Sequence, residues 1–305
     1  MSKVILLAGG SGLIGARLAA MLRMRQYNVR LLTRSPRREG DFKWDPMHGE
    51  LDESALQGVD YVVNLAGAGI ADKRWTPNRK REIIESSVQA AKMLVDAFGR
   101  SSQNPKAYIS ASAIGYYGNA GERIMNESDA PVEDGFMVDC CQKWEQAADG
   151  IAALGIRTVK LRIGVVLAKE GGALAEIIKP LHFGLGAYFG DGKAWWSWIH
   201  RDDVCSMMIW AIENPEIAGV YNAVAPMPVR GKEMLQATAA AMQQPAIFLP
   251  VPSIALRVVL GKMSAVVLNS NRISAEKIVQ AGFQFQYPDL KGALATVFSK
   301  KQYDI

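Results

Sequence analysis

Apolar residues follow two alternating rhythms along this chain. Short unbroken runs read as buried strands: Val4 to Ala8, Tyr27 to Leu32, Tyr61 to Leu65, Ala107 to Ser110 and Thr158 to Leu161. Between them lie longer stretches with apolar positions three and four apart. Leu13, Leu18, Met21 and Leu22 open that series, and Lys80 to Phe98 and Phe136 to Leu154 continue it. Strands alternating with helices predict an α/β fold built on a doubly wound parallel sheet. Ligands of such sheets bind outside the carboxyl ends of the strands. Each turn that follows a strand is therefore a candidate site.

The rhythm changes after Leu167. Glycines and aromatics crowd together, with Gly171-Gly172, Gly184, Gly186, Gly190 and Gly192 before Trp195, Trp196 and Trp198. A helical stretch from Val204 to Glu213 and a strand-like Val220-Tyr221-Asn222-Ala223 follow. From about Arg230 the pattern is mainly helical, with breaks at Pro245, Pro250 and Pro252. We expect a cofactor domain over 1–167 with a return strand near 220–223. A smaller, mainly helical substrate lobe is expected over 168–305, including a tail at about 250–298.

Composition narrows the class. With 305 residues, 49% hydrophobic and 21% charged, the chain can bury a core without disulfide or metal staples. Cys140, Cys141 and Cys205 form neither a disulfide framework nor a metal-ligand spacing, which fits a reducing compartment. The first apolar run is only of strand length, so no signal peptide or membrane span is expected and the protein reads as cytoplasmic. The net charge of +5 is dispersed, and the one local basic excess, at Arg34, Arg37 and Arg38, suits a phosphate-bearing small molecule. No nucleic-acid module is recognisable.

The turn after the first strand is Gly9-Gly10-Ser11-Gly12-Leu13-Ile14-Gly15. Gly9, Gly12 and Gly15 form a G-x-x-G-x-x-G pattern between a strand and a helix, the context of a Rossmann-type dinucleotide site. Glycines permit the tight turn and let the backbone approach the pyrophosphate, which the helix N-terminus then binds. The end of the second strand sets the cofactor. An acid there accepts from the ribose hydroxyls of NAD, but this chain has Thr33-Arg34-Ser35. Thr33 can donate to a 2′-phosphate, and Arg34 can pair with it or stack on adenine, so NADP(H) is expected. The third strand end, Asn64-Leu65-Ala66-Gly67, has small residues against which cofactor can lie.

With these segments placed, the chain resembles the extended or atypical branch of the short-chain dehydrogenase/reductase superfamily. More narrowly, it is similar to the group of atypical members called epimerase family proteins. The resemblance rests on Gly9 to Gly15, Asn64 to Gly67, Ser110-Ala111-Ser112-Ala113, Lys143-Trp144-Glu145, Arg162 to Leu167, Trp198 to Asp203 and the tail from Pro250 to Phe298. It implies NADP(H) contacts at Thr33, Arg34, Leu65, Ala66, Glu82 and Val166. Many members have an arginine where this chain has Ser87. Superfamily members are often dimers, so a homodimer is among the expectations.

The same resemblance implies a tyrosine and a lysine four residues apart on one helix, with a serine on a neighbouring strand end. Ser112 stands where that serine belongs, but the helix reads Phe136-Met137-Val138-Asp139-Cys140-Cys141-Gln142-Lys143-Trp144-Glu145. Counting from Lys143 puts Asp139 in the tyrosine position, whereas counting from Glu145 makes the pair Met137 and Cys141. Neither register supplies a tyrosine. Substitutes for the proton relay are Tyr117 with its neighbour Tyr116, and His200. Trp195, Trp196 and Trp198 suit either an apolar pocket or an interior cluster. Two functions follow: an NADP(H)-dependent oxidoreductase or epimerase-like protein acting on a small molecule, or an NADP(H)-binding sensor or partner-binding protein with little or no catalysis.

Overall fold

The computed structural model describes residues 2–299, without the side chains at positions 257, 259 and 260; residues 300–305 of the expected lobe lie outside the described residues. The first part of the chain runs β1 (Val4–Ala8), α1 (Leu13–Met24), β2 (Asn28–Thr33), β3 (Asp41–Asp45), β4 (Glu50–Leu51), β5 (Tyr61–Asn64), α2 (Pro77–Arg100), β6 (Ala107–Ala113), β7 (Ile124–Met125), α3 (Phe136–Ala152), β8 (Arg157–Ile163) and β9 (Val165–Leu167). It continues with α4 (Gly172–Leu181), β10 (Leu185–Phe189), β11 (Trp195–Trp196), β12 (Trp198–His200), α5 (Arg201–Glu213), β13 (Gly219–Ala223) and β14 (Val229–Arg230). The last elements are α6 (Gly231–Ala241), β15 (Ile247–Val251), α7 (Ser253–Leu260), α8 (Ala265–Leu268), β16 (Arg272–Ile273), α9 (Glu276–Gln280) and α10 (Leu290–Phe298).

The main sheet has the order β13-β8-β6-β5-β1-β2-β3-β4 and is parallel except for the short β4. From β1 the chain lays β2 and β3 on one side, then returns to place β5 on the other. The turns after β1 and β5 thus meet at the switch point, where such sheets form their ligand crevice.

Both faces of the sheet are covered, which explains the unbroken apolar strands. Ile5 and Leu7 face one core with Leu18 and Leu22 of α1 and Val204 and Met208 of α5. Leu6 and Ala8 face the other with Ala90 and Leu94 of α2 and Ala148 and Ile151 of α3. Helix α2 starts earlier than its apolar periodicity predicts, because Thr76 accepts from the Arg79 N–H as N-cap and Pro77 occupies the first turn.

A third core joins Leu174, Trp198 and Met234 to Leu294 and Val297 of α10. The fully buried Asp203 carboxylate fixes the polypeptide leading into α10 by accepting the N–H groups of Gln286 and Tyr287. Strands β10 and β15 pair in parallel, so two segments more than fifty residues apart form one small sheet.

Candidate functional site

The glycine loop is built by close backbone approaches. Gly9 has φ of +79°, and a Cβ there would come within 2.6 Å of the Leu65 carbonyl group. A Cβ on Gly15 would lie 2.2 Å from the Gly9 carbonyl oxygen. These two positions must be glycine for the strand, loop and helix to sit this close. Helix α1 then begins at Gly12 without a capping side chain and without an acid in its first turn. Its N-terminal N–H groups and positive dipole end suit an anion. Leu13 packs against Gly171 and Gly172 at the start of α4, and Cys205 of α5 donates weakly to the Ile14 carbonyl.

The neighbouring strand ends close around this loop. Asn64 donates to the Tyr108 hydroxyl and accepts from the Ala66 N–H, which sets the turn through Leu65 and Ala66. A Cβ on Gly67 would strike Ser87 Oγ at 2.2 Å, so α2 lies directly against this turn. Thr33 Oγ1 accepts from the Ser35 N–H, while Arg34 is exposed and makes no ion pair among the described residues. The Glu82 carboxylate is held by Arg79 at 2.9 Å. Val166 lies in β9, in register with Ile199 of β12.

Ser112, Arg162 and Asn222 are register partners across β6, β8 and β13, so they share one face of the sheet. Glu145 of α3 reaches down to them. Its carboxylate accepts from Ser112 Oγ at 2.8 Å and from Arg162 at 2.8 and 2.9 Å. The Tyr117 hydroxyl accepts from Arg162 at 3.0 Å and donates to Asn222 Oδ1 at 2.7 Å. Tyr116 covers the guanidinium, with its ring centroid 3.3 Å from Arg162 Cζ. Burial, the largest single influence, would lower the arginine's pKa, but the hydrogen bonds and charges of Glu145 and Tyr117 together raise it.

Two sequence-predicted candidates, Ser112 and Tyr117, therefore meet, but inside a saturated network. Tyr117 has no exposed surface, and burial pushes its pKa up to about 12, opposite to what a proton relay needs. No sequence motif marks Glu145, Arg162 and Asn222 for these roles. An arginine in the otherwise apolar end of β8 was the available signal, because a buried guanidinium must find an anion.

The two alternative pairs on α3 lie on different sides of the helix. A Cβ on Gly115 would meet Met137 and Cys141, while Lys143 pairs with Asp139 on the half-exposed side. Met137 and Cys141 thus face the end of β6. All three cysteines are free and buried.

His200 lies apart from this network. It is the N-cap of α5: its Nδ1 accepts from the Asp202 N–H at 3.1 Å, and its ring stacks on Tyr287 at 4.0 Å. It hydrogen-bonds to neither Ser112 nor Tyr117. Burial lowers its pKa from 6.5 to about 4, so the unfolded chain binds the proton more readily between those values. Stability is then present above pH 6.5 and lost as pH falls towards 4, by about 3 kcal/mol in all. His200→Asn keeps a capping oxygen but cannot titrate. Between pH 7 and 5 the native chain is expected to lose about 2 kcal/mol more than this variant in urea unfolding. Equal losses would remove His200 from the acid response.

The tryptophans separate. Trp198 is fully buried and donates to the Met227 carbonyl, whereas Trp195 lies under Arg230 and Arg272 at 3.8 and 4.5 Å. Trp196 lines a small cavity with Ile177, Tyr188, Leu235 and Val267. Among the described residues, no cluster of His, Cys, Asp and Glu could hold a metal, and no helix is long and apolar enough to cross a membrane.

A doubly wound sheet with a glycine loop at its switch point defines the Rossmann-like fold of the short-chain dehydrogenase/reductase superfamily. Residues 5–224 match the model of the NAD dependent epimerase/dehydratase family, and residues 251–297 match a domain of unknown function, DUF1731. The chain belongs to the NAD dependent epimerase/dehydratase family. It is 34% identical to the epimerase family protein YfhF of Bacillus subtilis over 98% of this chain and 99% of that one. It is 36% identical to the chloroplastic SDR39U1 homolog of Arabidopsis thaliana, over 95% of this chain and 85% of that one. The crystal structure of human epimerase family protein SDR39U1 with NADPH superposes with a TM-score of 0.87 at 30% identity, covering 97% of this chain and 99% of the human one.

Proposed function

We propose that the chain binds NADP(H) across the switch point and acts on a small molecule as an oxidoreductase or epimerase-like protein lacking the usual Tyr–Lys pair. The observation that carries this reading is the cradle at the loop, where Gly15 has no room for a Cβ and α1 begins uncapped. Gly9, Ser11, Gly12 and Gly15 then hold the pyrophosphate, with Leu13 and Ile14 fixing the loop below it. Thr33 and the unpaired Arg34 meet the 2′-phosphate. Leu65, Ala66 and Gly67 lie along the ribose, and Val166 faces the nicotinamide. Glu82 reaches the ribose by sharing its carboxylate with Arg79. The NADPH in the human relative supports this cofactor. When bound, the cofactor supplies or accepts a hydride.

One observation favours the second reading, a sensor or partner-binding protein. Ser112 and Tyr117 are committed to Glu145, Arg162 and Asn222, and Met137 and Cys141 hold the helix positions nearest to them. The two readings separate when NADPH-loaded protein is mixed with pooled metabolites and cofactor fluorescence is followed. Turnover in any pool establishes an enzyme; tight binding without turnover across broad pools establishes the sensor. For the cofactor, Arg34→Ala is expected to weaken NADPH binding by about tenfold or more and leave NADH binding unchanged. Equal affinities for NADPH and NADH in the native chain would refute the 2′-phosphate contact.

A further inference from the structure

The loop after β5, the start of α3 and the C-terminal tail meet at one place. The Trp75 and Phe136 rings pack edge to face at 4.6 Å. Lys80 Nζ lies 4.7 Å from the Phe136 centroid and 5.7 Å from that of Trp75. From the tail, the Val258 carbonyl accepts from Arg74 at 3.4 Å, and Gly261 lies against the same guanidinium. Lys262 follows. After burial, the charge of Lys262 is the main influence holding the Lys80 ammonium below its ordinary pKa.

Lys80 thus lies over the two rings, Arg74 holds the tail just before Lys262, and the Lys262 charge acts on Lys80. Three carboxylates of this region are engaged elsewhere: Asp72 and Glu82 pair with Arg79, and Asp139 pairs with Lys143. Among the described residues, no ion pair reaches Arg74, Lys80 or Lys262. Gathering like charges costs free energy unless an anion joins them, and a guanidinium fork together with two ammonium groups matches an oxyanion. Phe136 is also the residue before Met137, whose side chain meets Gly115 at the end of β6. The cluster therefore lies beside the α3 positions that face the strand ends.

We propose that Arg74, Lys80 and Lys262 form an anion subsite that binds a carboxylate or phosphate group of the substrate above the Trp75–Phe136 pair. This rests on the reading of the chain as a protein that binds NADP(H) and a small molecule. It makes that small molecule an acid, gripped jointly by the Rossmann half and the tail.

The test is calorimetric titration of the full chain, loaded with NADPH, with inorganic phosphate and separately with malonate at constant ionic strength. Saturable binding of at least one anion is expected, and the tighter one identifies a phosphate or a carboxylate. Lys80→Met and Lys262→Met are each expected to weaken it by about tenfold, with Lys80→Arg restoring it and NADPH affinity kept within about twofold. Lys262 is exposed, so its variant tests the subsite without disturbing the core. Absence of saturable binding, or equal binding by native and variant chains, would overturn the proposal. A matching loss of NADPH affinity in Lys80→Met would also overturn it, because the cluster would then serve the cofactor. If the native chain binds no NADPH, the functional reading fails, and the same titration of the unloaded chain still decides the anion subsite.

Discussion

Arg162→Met is expected to destabilise the protein by about 3–5 kcal/mol, the usual cost of breaking one side of a buried ion pair. Arg162 and Glu145 are 3% and 7% exposed. Removing the guanidinium deletes both of its bonds to the Glu145 carboxylate and one to the Tyr117 hydroxyl. The carboxylate would keep only Ser112 as a donor. The loss comes mainly from the charge left behind, not from the net value of the pair. Glu145→Met in the same chain should therefore recover much of it, despite deleting a second polar group. Urea unfolding of the two single variants and the double variant gives the cycle, provided the m-values stay constant. A single Arg162→Met variant within about 1 kcal/mol of the native chain would show that the pair is not the keystone of the strand ends.

This network also marks where sequence reasoning stops. The phosphate loop is legible because β1, the glycines and α1 are contiguous, and their physics is local: a turn, a helix start and a tight approach. Even there, the contact of Gly9 with Leu65 needs the neighbouring strand. Ser112, Glu145, Arg162, Tyr117 and Asn222 span more than a hundred positions; the register of β6, β8 and β13 aligns three of them, and α3 and the turn after β6 bring Glu145 and Tyr117 to these. Periodicity places each strand but not its neighbours' alignment. Seen alone, Ser112 and Tyr117 suggest chemistry; the structure adds their bonds to Glu145, Arg162 and Asn222. Similarly, the sequence of α3 leaves two registers open, and only the packing of Met137 against Gly115 shows which pair faces the strand end. His200 reads as an acid–base candidate, and its capping of α5 becomes visible only once the helix is seen to start at Arg201. Short β3 has no sequence signature, because Asp41–Asp45 holds too few apolar residues to declare a strand.

Two glycine variants separate the cradle's own architecture from its ligand. Gly15→Ala is expected to abolish measurable NADPH binding, an affinity loss of at least about 100-fold, and to cost about 1–3 kcal/mol of stability. The added methyl would lie 2.2 Å from the Gly9 carbonyl oxygen and 2.9 Å from Gly10 Cα, and neither is a side chain that can swing away. The loop and α1 must move apart, which misplaces every N–H aimed at the pyrophosphate. Gly12→Ala is the counterpart. Its nearest neighbour would be the Gly9 oxygen at 3.4 Å, and its φ of −78° suits alanine. The free protein should lose only about 0.5–1 kcal/mol from the weaker N-cap. A phosphate resting on the helix start leaves no room for that methyl, so NADPH affinity should still fall by about tenfold or more. Thermal unfolding and cofactor-fluorescence titration of both variants give the four numbers needed. If Gly12→Ala binds NADPH as tightly as the native chain, the pyrophosphate does not sit on α1, and the cofactor placement proposed here is wrong.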